Sequence, residues 1–242
     1  MYARIALPPY DAPAVSARLR GFPDPFPVRD DGRRPWRYRI VSLLSRALLR
    51  AWFGRGLRIV GTQRVPRDGP VLMVSNHLSN VDPFLFGAYA PGTMFCMAKR
   101  ELYANPVIAW VLGGCNCFPV DRGAADRWAL RTSLNVLAGR GRLLIFVEGT
   151  RAASPGMKRA ETGIGFLARR SGARILPVGV WGTERALRRG RLLPRRVPIT
   201  LEFGEPFELP AVQSRGDDRA VADEVASRIA AMLPPEYRGV YG

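Results

Sequence analysis

Apolar positions between Tyr38 and Phe53 fall at Ile40, Leu43, Leu44, Ala47, Leu48 and Ala51, the recurrence of one face of an α-helix. Val41 and Trp52 widen that stripe, and Ser42, Arg46 and Arg50 occupy the narrow face opposite. Beyond Gly56 the pattern changes to short β-rich apolar runs at 57–61, 71–75, 93–98, 116–120, 143–147, 175–181 and 197–203. Helical periodicity fills intervals at 83–90, 105–112, 126–139, 162–171 and 218–233. Strands alternating with helices predict an α/β fold, with a central, mostly parallel or mixed sheet of about seven strands flanked by helices. Residues 1–37 hold seven of the 21 prolines, a density that forbids regular helix or central strand, so this stretch reads as an extended or disordered arm. The expected division is 1–56 for the arm and the amphipathic helix and 57–242 for a single domain.

The helix expected at 38–53 is too short and too charged to cross a bilayer, which takes about 20 apolar residues. Two arrangements remain: a helix packed on the domain, or one lying in a membrane surface. Arg33, Arg34, Arg37 and Arg39 just upstream favour the membrane surface, because anionic headgroups attract such clusters.

Composition narrows the partners without naming one. At 47% hydrophobic residues, the 242-residue chain has enough apolar material for a full core. The net charge of +17 asks for an anionic partner: a membrane, an acidic carrier protein, a phosphorylated substrate or nucleic acid. Yet 35 of the 37 cations are arginine, with only Lys99 and Lys158 as lysine, a skew of the kind a GC-rich genome imposes throughout a chain. Charge alone therefore leaves open whether it marks a specific surface or only the genome's composition. Cys96, Cys115 and Cys117 are odd in number and lack zinc or redox spacing. The opening residues lack a secretory-leader pattern, so reduced, apolar thiols in a cytoplasmic setting are expected.

The chemistry concentrates at SNHLSNVDPF, residues 75–84, where the only histidine follows a buried run and Asp82 stands five positions on. His77 falls just past the C-terminal end of a strand, the edge where open α/β sheets hold ligands. On its own Asp82, before Pro83, reads as a helix cap. Taken with His77 it reads differently: a carboxylate on one imidazole nitrogen fixes the tautomer and frees the other nitrogen to take a proton. The chain has no G-x-S-x-G elbow, and Ser79 is too close in sequence to His77 to face it. The simplest source of the hydroxyl is the substrate. Arg122 ends one strand segment and Arg151 another, at the same sheet edge, and guanidinium groups bind phosphate oxygens bidentately. Gly149 permits a tight turn beside Arg151.

The ordered set NHLSNVD (76–82), FPVDR (118–122), EGTR (148–151) and LPVGV (176–180) resembles the glycerolipid acyltransferases, closest to the bacterial 1-acylglycerol-3-phosphate type. AKREL at 98–102 and FGEPF at 203–207 agree, so the likeness spans roughly residues 57–210. The resemblance implies that His77 is the general base and Asp82 its orienting partner. It implies that Arg151 binds the acceptor phosphate, helped by Arg122 and Lys99. Asn76, Glu148, Gly149 and Thr150 would shape the motifs, and Pro177 would belong to a motif on the acyl-donor side. Two departures stand out: Ala152 where serine is common, and MKRAETG (157–163) where the family carries a lysine close before a glycine.

The resemblance further implies acyl transfer from acyl-CoA or acyl carrier protein to a lysophospholipid hydroxyl, without metal, cofactor or covalent acyl-enzyme. The expected location is the cytoplasmic face of the membrane, as a peripheral protein. An acceptor lacking phosphate, such as a lyso-aminolipid, is the nearer alternative. A basic module without chemistry explains the charge and the helix but neither His77 with Asp82 nor the strand-end arginines, so nucleic acid is not expected as a partner.

Overall fold

Val71 to Ser75 are buried without exception, the mark of a strand covered on both faces, and they form the centre of the sheet. The computed structural model describes residues 35–121, 126–151, 155–187, 194–209 and 217–242. In chain order the elements are α1 (Trp36–Phe53), β1 (Leu57–Val60), β2 (Val71–Ser75), α2 (Asp82–Tyr89), β3 (Met94–Lys99) and α3 (Pro106–Gly114). They continue through β4 (Cys117–Val120), α4 (Arg127–Ala138), β5 (Arg142–Phe146), α5 (Thr162–Ser171) and β6 (Arg174–Trp181). The last are α6 (Thr183–Ala186), β7 (Ile199–Phe203), α7 (Asp218–Met232) and α8 (Pro235–Arg238). Each expected apolar run forms a strand, with ends displaced by no more than two residues.

The seven strands lie in the order β1-β7-β6-β2-β5-β3-β4. All neighbours pair parallel except β6 with β7, so the sheet is mixed, as expected. From β2 the chain crosses through α2 to β3 on one side; from β5 it crosses through α5 to β6 on the other. The residues of α2 pack into one apolar layer and those of α5 into the opposite one. β2 and β5 are adjacent, so their C-terminal ends diverge into a crevice, the switch point where open α/β sheets take ligands.

One local expectation is corrected and another is made more specific. Asp82 does not cap the helix it precedes. It is the first helical residue, and its carboxylate turns back into the loop, where three donors outcompete the helix terminus. In α1 the polar face is the one that meets the domain. Ser42 is buried, Arg46 donates to the Ala88 carbonyl at 2.5 and 3.0 Å, and Arg50 donates to the Tyr89 hydroxyl at 3.2 Å. Tyr38, Val41, Leu49 and Phe53 complete that contact. The apolar stripe therefore points outward, with Leu43 63% and Leu48 69% exposed. Beside it Arg37 donates to the Trp110 carbonyl at 2.7 Å and stacks on its ring, while Val107, Ile108 and Trp110 of α3 are exposed as well. Packing on the domain thus leaves the apolar face exposed, because the two use different sides of one helix. Among the described residues no helix is long and apolar enough to cross a membrane.

The face opposite α1 depends on close helix contact. A Cβ on Gly165 of α5 would lie 1.8 Å from the Asp218 carbonyl oxygen at the start of α7. Gly165→Ala must push the two helices apart, and overpacking of this kind costs about 1–3 kcal/mol or more. The expected result is a lower denaturant midpoint at unchanged slope; an unchanged midpoint would mean that α7 docks more loosely than described.

Candidate active site

The loop after β2 is directed by Asn76 before His77 is reached. Its buried carboxamide donates to the Val180 carbonyl at 2.7 Å and accepts from the Val180 N–H at 2.9 Å, so one side chain continues the β2–β6 ladder past its last residue pair. His77 then projects over the end of β5, where its ring stacks on Phe146 with centroids 3.9 Å apart and planes 15° from parallel. Phe86 of α2 meets Phe146 edge-on, fixing the ring beneath the imidazole.

Asp82 is fully buried, and its Oδ2 lies 2.8 Å from His77 Nδ1. The same oxygen accepts from the Leu78 and Ser79 N–H groups, each at 2.8 Å. A buried carboxylate is costly without donors; the loop it orients supplies three to Oδ2, while Oδ1 is buried without a hydrogen-bond partner among the described residues. With Nδ1 committed to Asp82, Nε2 is the nitrogen available to an incoming proton. The pair can act as an oriented base.

Glu148 holds the two halves of the crevice together. Its Oε1 accepts from the His77 N–H and its Oε2 from the Lys158 N–H, both at 3.3 Å. Burial pushes its carboxyl above the ordinary range, against the pull of those two N–H groups. Gly149 follows with φ +64°, and its N–H reaches back to the Phe146 carbonyl at 3.1 Å, so the chain reverses tightly before exposed Thr150 and half-buried Arg151. A Cβ on Gly149 would fall 3.1 Å from Glu161 Cγ, which places that carboxylate side chain against the turn.

The remaining expected residues are placed less centrally. Lys99 is at the same edge, but its ammonium is half-exposed and paired with Glu101 at 2.8 Å. Arg122 lies outside the described residues. Pro177 is inside β6, in register with Val74, and so three residues below His77 rather than at the edge. Its carbonyl accepts from Gly204 just beyond the last β6–β7 pair, where a proline costs no ladder donor. Sequence reasoning missed Phe146, whose only signal was its place at the end of an apolar run. It also undervalued Asn76 and Glu148, whose partners are 104 and 71 residues away.

Comparison with known proteins fits this geometry. The Acyltransferase family model matches residues 56–181, which include His77, Asp82, Glu148 and Arg151, and the chain belongs to that family. The 1-acyl-sn-glycerol-3-phosphate acyltransferase of Streptococcus pneumoniae is 28% identical over 171 residues, covering 69% of this chain and 61% of that protein. The lyso-ornithine lipid O-acyltransferase of Pseudomonas aeruginosa is 31% identical over 148 residues, covering 58% and 55%. The chain thus spans less than two thirds of the length of either relative. The crystal structure of the 1-acyl-sn-glycerophosphate acyltransferase from Thermotoga maritima shares the fold, with a TM-score of 0.66 at 24% identity over 78% of this chain and 76% of that one.

The raised Glu148 carboxyl makes stability depend on pH. The folded state holds this proton more tightly than the unfolded chain, so its contribution is present below the unfolded pKa. It is lost as pH rises through the folded value. Glu148→Gln cannot ionise. Its unfolding free energy should therefore gain on the wild type as pH rises through that window, whatever the constant offset from the altered acceptor. Denaturant midpoints taken across the window check this, and parallel curves would place Glu148 in water.

Proposed function

We propose that the chain transfers a fatty acyl group from a thioester, acyl-CoA or acyl carrier protein, to the free hydroxyl of 1-acylglycerol-3-phosphate, giving phosphatidic acid. The observation that carries this reading is the His77–Asp82 pair at the sheet's switch point, with Arg151 on the adjoining turn. His77 Nε2 takes the proton as the acceptor oxygen attacks the thioester carbonyl. The tetrahedral adduct collapses, the C–S bond breaks, and the imidazolium returns its proton to the departing thiolate. Asp82 holds the ring in place and stabilises the imidazolium as it forms. The acyl group passes directly between substrates, and the reading calls for no cofactor beyond the donor.

Magnitudes assign the effort. A positioned general base contributes about 10²–10⁴-fold, whereas orientation of two reactants can contribute roughly 7–11 kcal/mol. Anchoring the acceptor phosphate on Arg151, helped by Arg122 and Lys99, is therefore the larger share. His77→Ala should lose nearly all transfer while remaining folded. Arg151→Ala should lower kcat/KM for the acceptor on the scale of charge-assisted bonds, about 1.5–3 kcal/mol each, with little change for the donor. Impairment confined to the donor would invert the site.

A second acceptor class is favoured by one feature. Glu161 rests against the turn that carries Arg151, and a carboxylate there suits an acceptor bearing an amine in place of a phosphate. A screen of lysophosphatidic acid against lyso-aminolipids with one labelled acyl-CoA separates the two.

The exposed stripe of α1 supports a peripheral location on an anionic membrane, because continuous apolar faces of this extent are unusual on surfaces left in water. Leu44→Glu with Leu48→Glu alters only exposed positions, so stability should hold within about 0.5 kcal/mol. The variant should lose sedimentation with anionic vesicles and activity on bilayer substrate, yet keep activity on acceptor dispersed in detergent. Equal loss in both assays would remove the membrane role.

A further inference from the structure

Residues 155–161 form neither helix nor strand, yet they are held from outside as well as by Glu148 from inside. Past α7 the chain turns through α8 and a single 3-10 turn at Gly239–Tyr241, and this tail lies back across residues 156–160. The Met157 N–H donates to the Tyr237 carbonyl at 3.0 Å, and the Val240 N–H donates to the Met157 carbonyl at 3.1 Å. The Ala160 N–H donates to the Tyr241 hydroxyl at 2.9 Å, and that hydroxyl donates to Asp223 Oδ1 at 3.0 Å. Tyr237 donates its own hydroxyl to Glu184 Oε1 of α6 at 2.8 Å, which ties the tail to the end of β6.

The approach is close enough to demand glycine. At Gly239, φ is +58°, and a Cβ there would lie 2.1 Å from the Met157 carbonyl oxygen. Burial, and then Glu184 beside it, pushes Tyr237 up to about 12, and burial raises Tyr241 too, so both hydroxyls keep their protons to donate. Met157 is buried in the same apolar layer as Leu233 and Tyr237.

The Lys158 N–H, inside this clasped segment, is one of the two donors on Glu148; the other is the His77 N–H. The turn carrying Arg151 is thus pinned at Glu148 on one side and at Met157 on the other. We propose that the tail 237–241 is a clasp for the active site, and that Tyr241, acting through the 157–160 segment and Glu148, is a positioning residue for acceptor binding by Arg151. This rests on the function proposed above, in which Arg151 engages the acceptor.

Tyr241→Phe keeps the ring packing and removes only the oxygen that joins Ala160 to Asp223. In the full chain it should raise the acceptor KM about fivefold, the worth of one ordinary hydrogen bond, with kcat and the donor KM near wild type. Loss of folded protein would lower kcat alone, so the split separates positioning from stability. Hydrogen exchange supplies the second arm: in Tyr241→Phe the peptides covering 148–160 and His77 should exchange faster. Gly239→Ala should do the same more strongly, and if it fails to fold the phenylalanine variant still decides. Faster exchange confined to 239–242, or an unchanged acceptor KM, overturns the clasp. If the wild type acylates no lysolipid, the proposed function fails, and the exchange arm alone then decides whether the clasp reaches His77.

Discussion

Asp82 Oδ2 has no water to rely on, and everything near it is arranged so that it needs none. It gathers the imidazole and two main-chain N–H groups onto one oxygen, which forces residues 77–79 into a tight loop around the carboxylate. That loop joins a buried strand ending at Ser75 to its successor helix, and Asp82 is itself the first residue of α2. The crossover from β2 to β3 on one face and from β5 to β6 on the other then opens the sheet where His77 emerges. Fold and chemistry meet in a single desolvated acid. Removing its donors would leave a buried charge, which proteins do not tolerate cheaply.

Much of this was legible beforehand, for physical reasons. β2 and β5 are continuous apolar runs because both faces of a parallel strand are covered, and such runs stand out in any chain. His77 and Asp82 are five residues apart, so their meeting is a local event that a motif can record. Arg151 and Glu148 share a turn with Gly149 and were visible for the same reason. The hidden parts are those whose partners are distant. Asn76 pairs with Val180, Glu148 bridges His77 to Lys158, and Tyr241 reaches Ala160; none of these distances leaves a periodic trace. Phe146 was hidden differently, since an aromatic ring at the end of an apolar strand looks the same whether it fills core or stacks under an imidazole.

The first helix shows how periodicity finds a stripe without saying what covers it. Ile40, Leu43, Leu44 and Leu48 are correctly on one face, but the domain takes the other. Arg46 and Arg50 satisfy the Ala88 carbonyl and the Tyr89 hydroxyl at the end of α2, groups that an apolar face would have left unpaired. These hydrogen bonds, together with the burial of Tyr38, Val41, Leu49 and Phe53, fix the orientation, and the stripe of Leu43, Leu44 and Leu48 is what remains outside.

The stack of His77 on Phe146 has a spectroscopic consequence. A ring 3.9 Å from another and nearly parallel to it lies in the shielding cone of its neighbour's ring current. The imidazole carbon-bound protons should resonate well upfield of free histidine, and with one histidine in 242 residues no other imidazole contributes to that region. The protein carries an unlabelled reporter at His77, whose chemical shift reads the ring's tautomer and its contact with Phe146 at once.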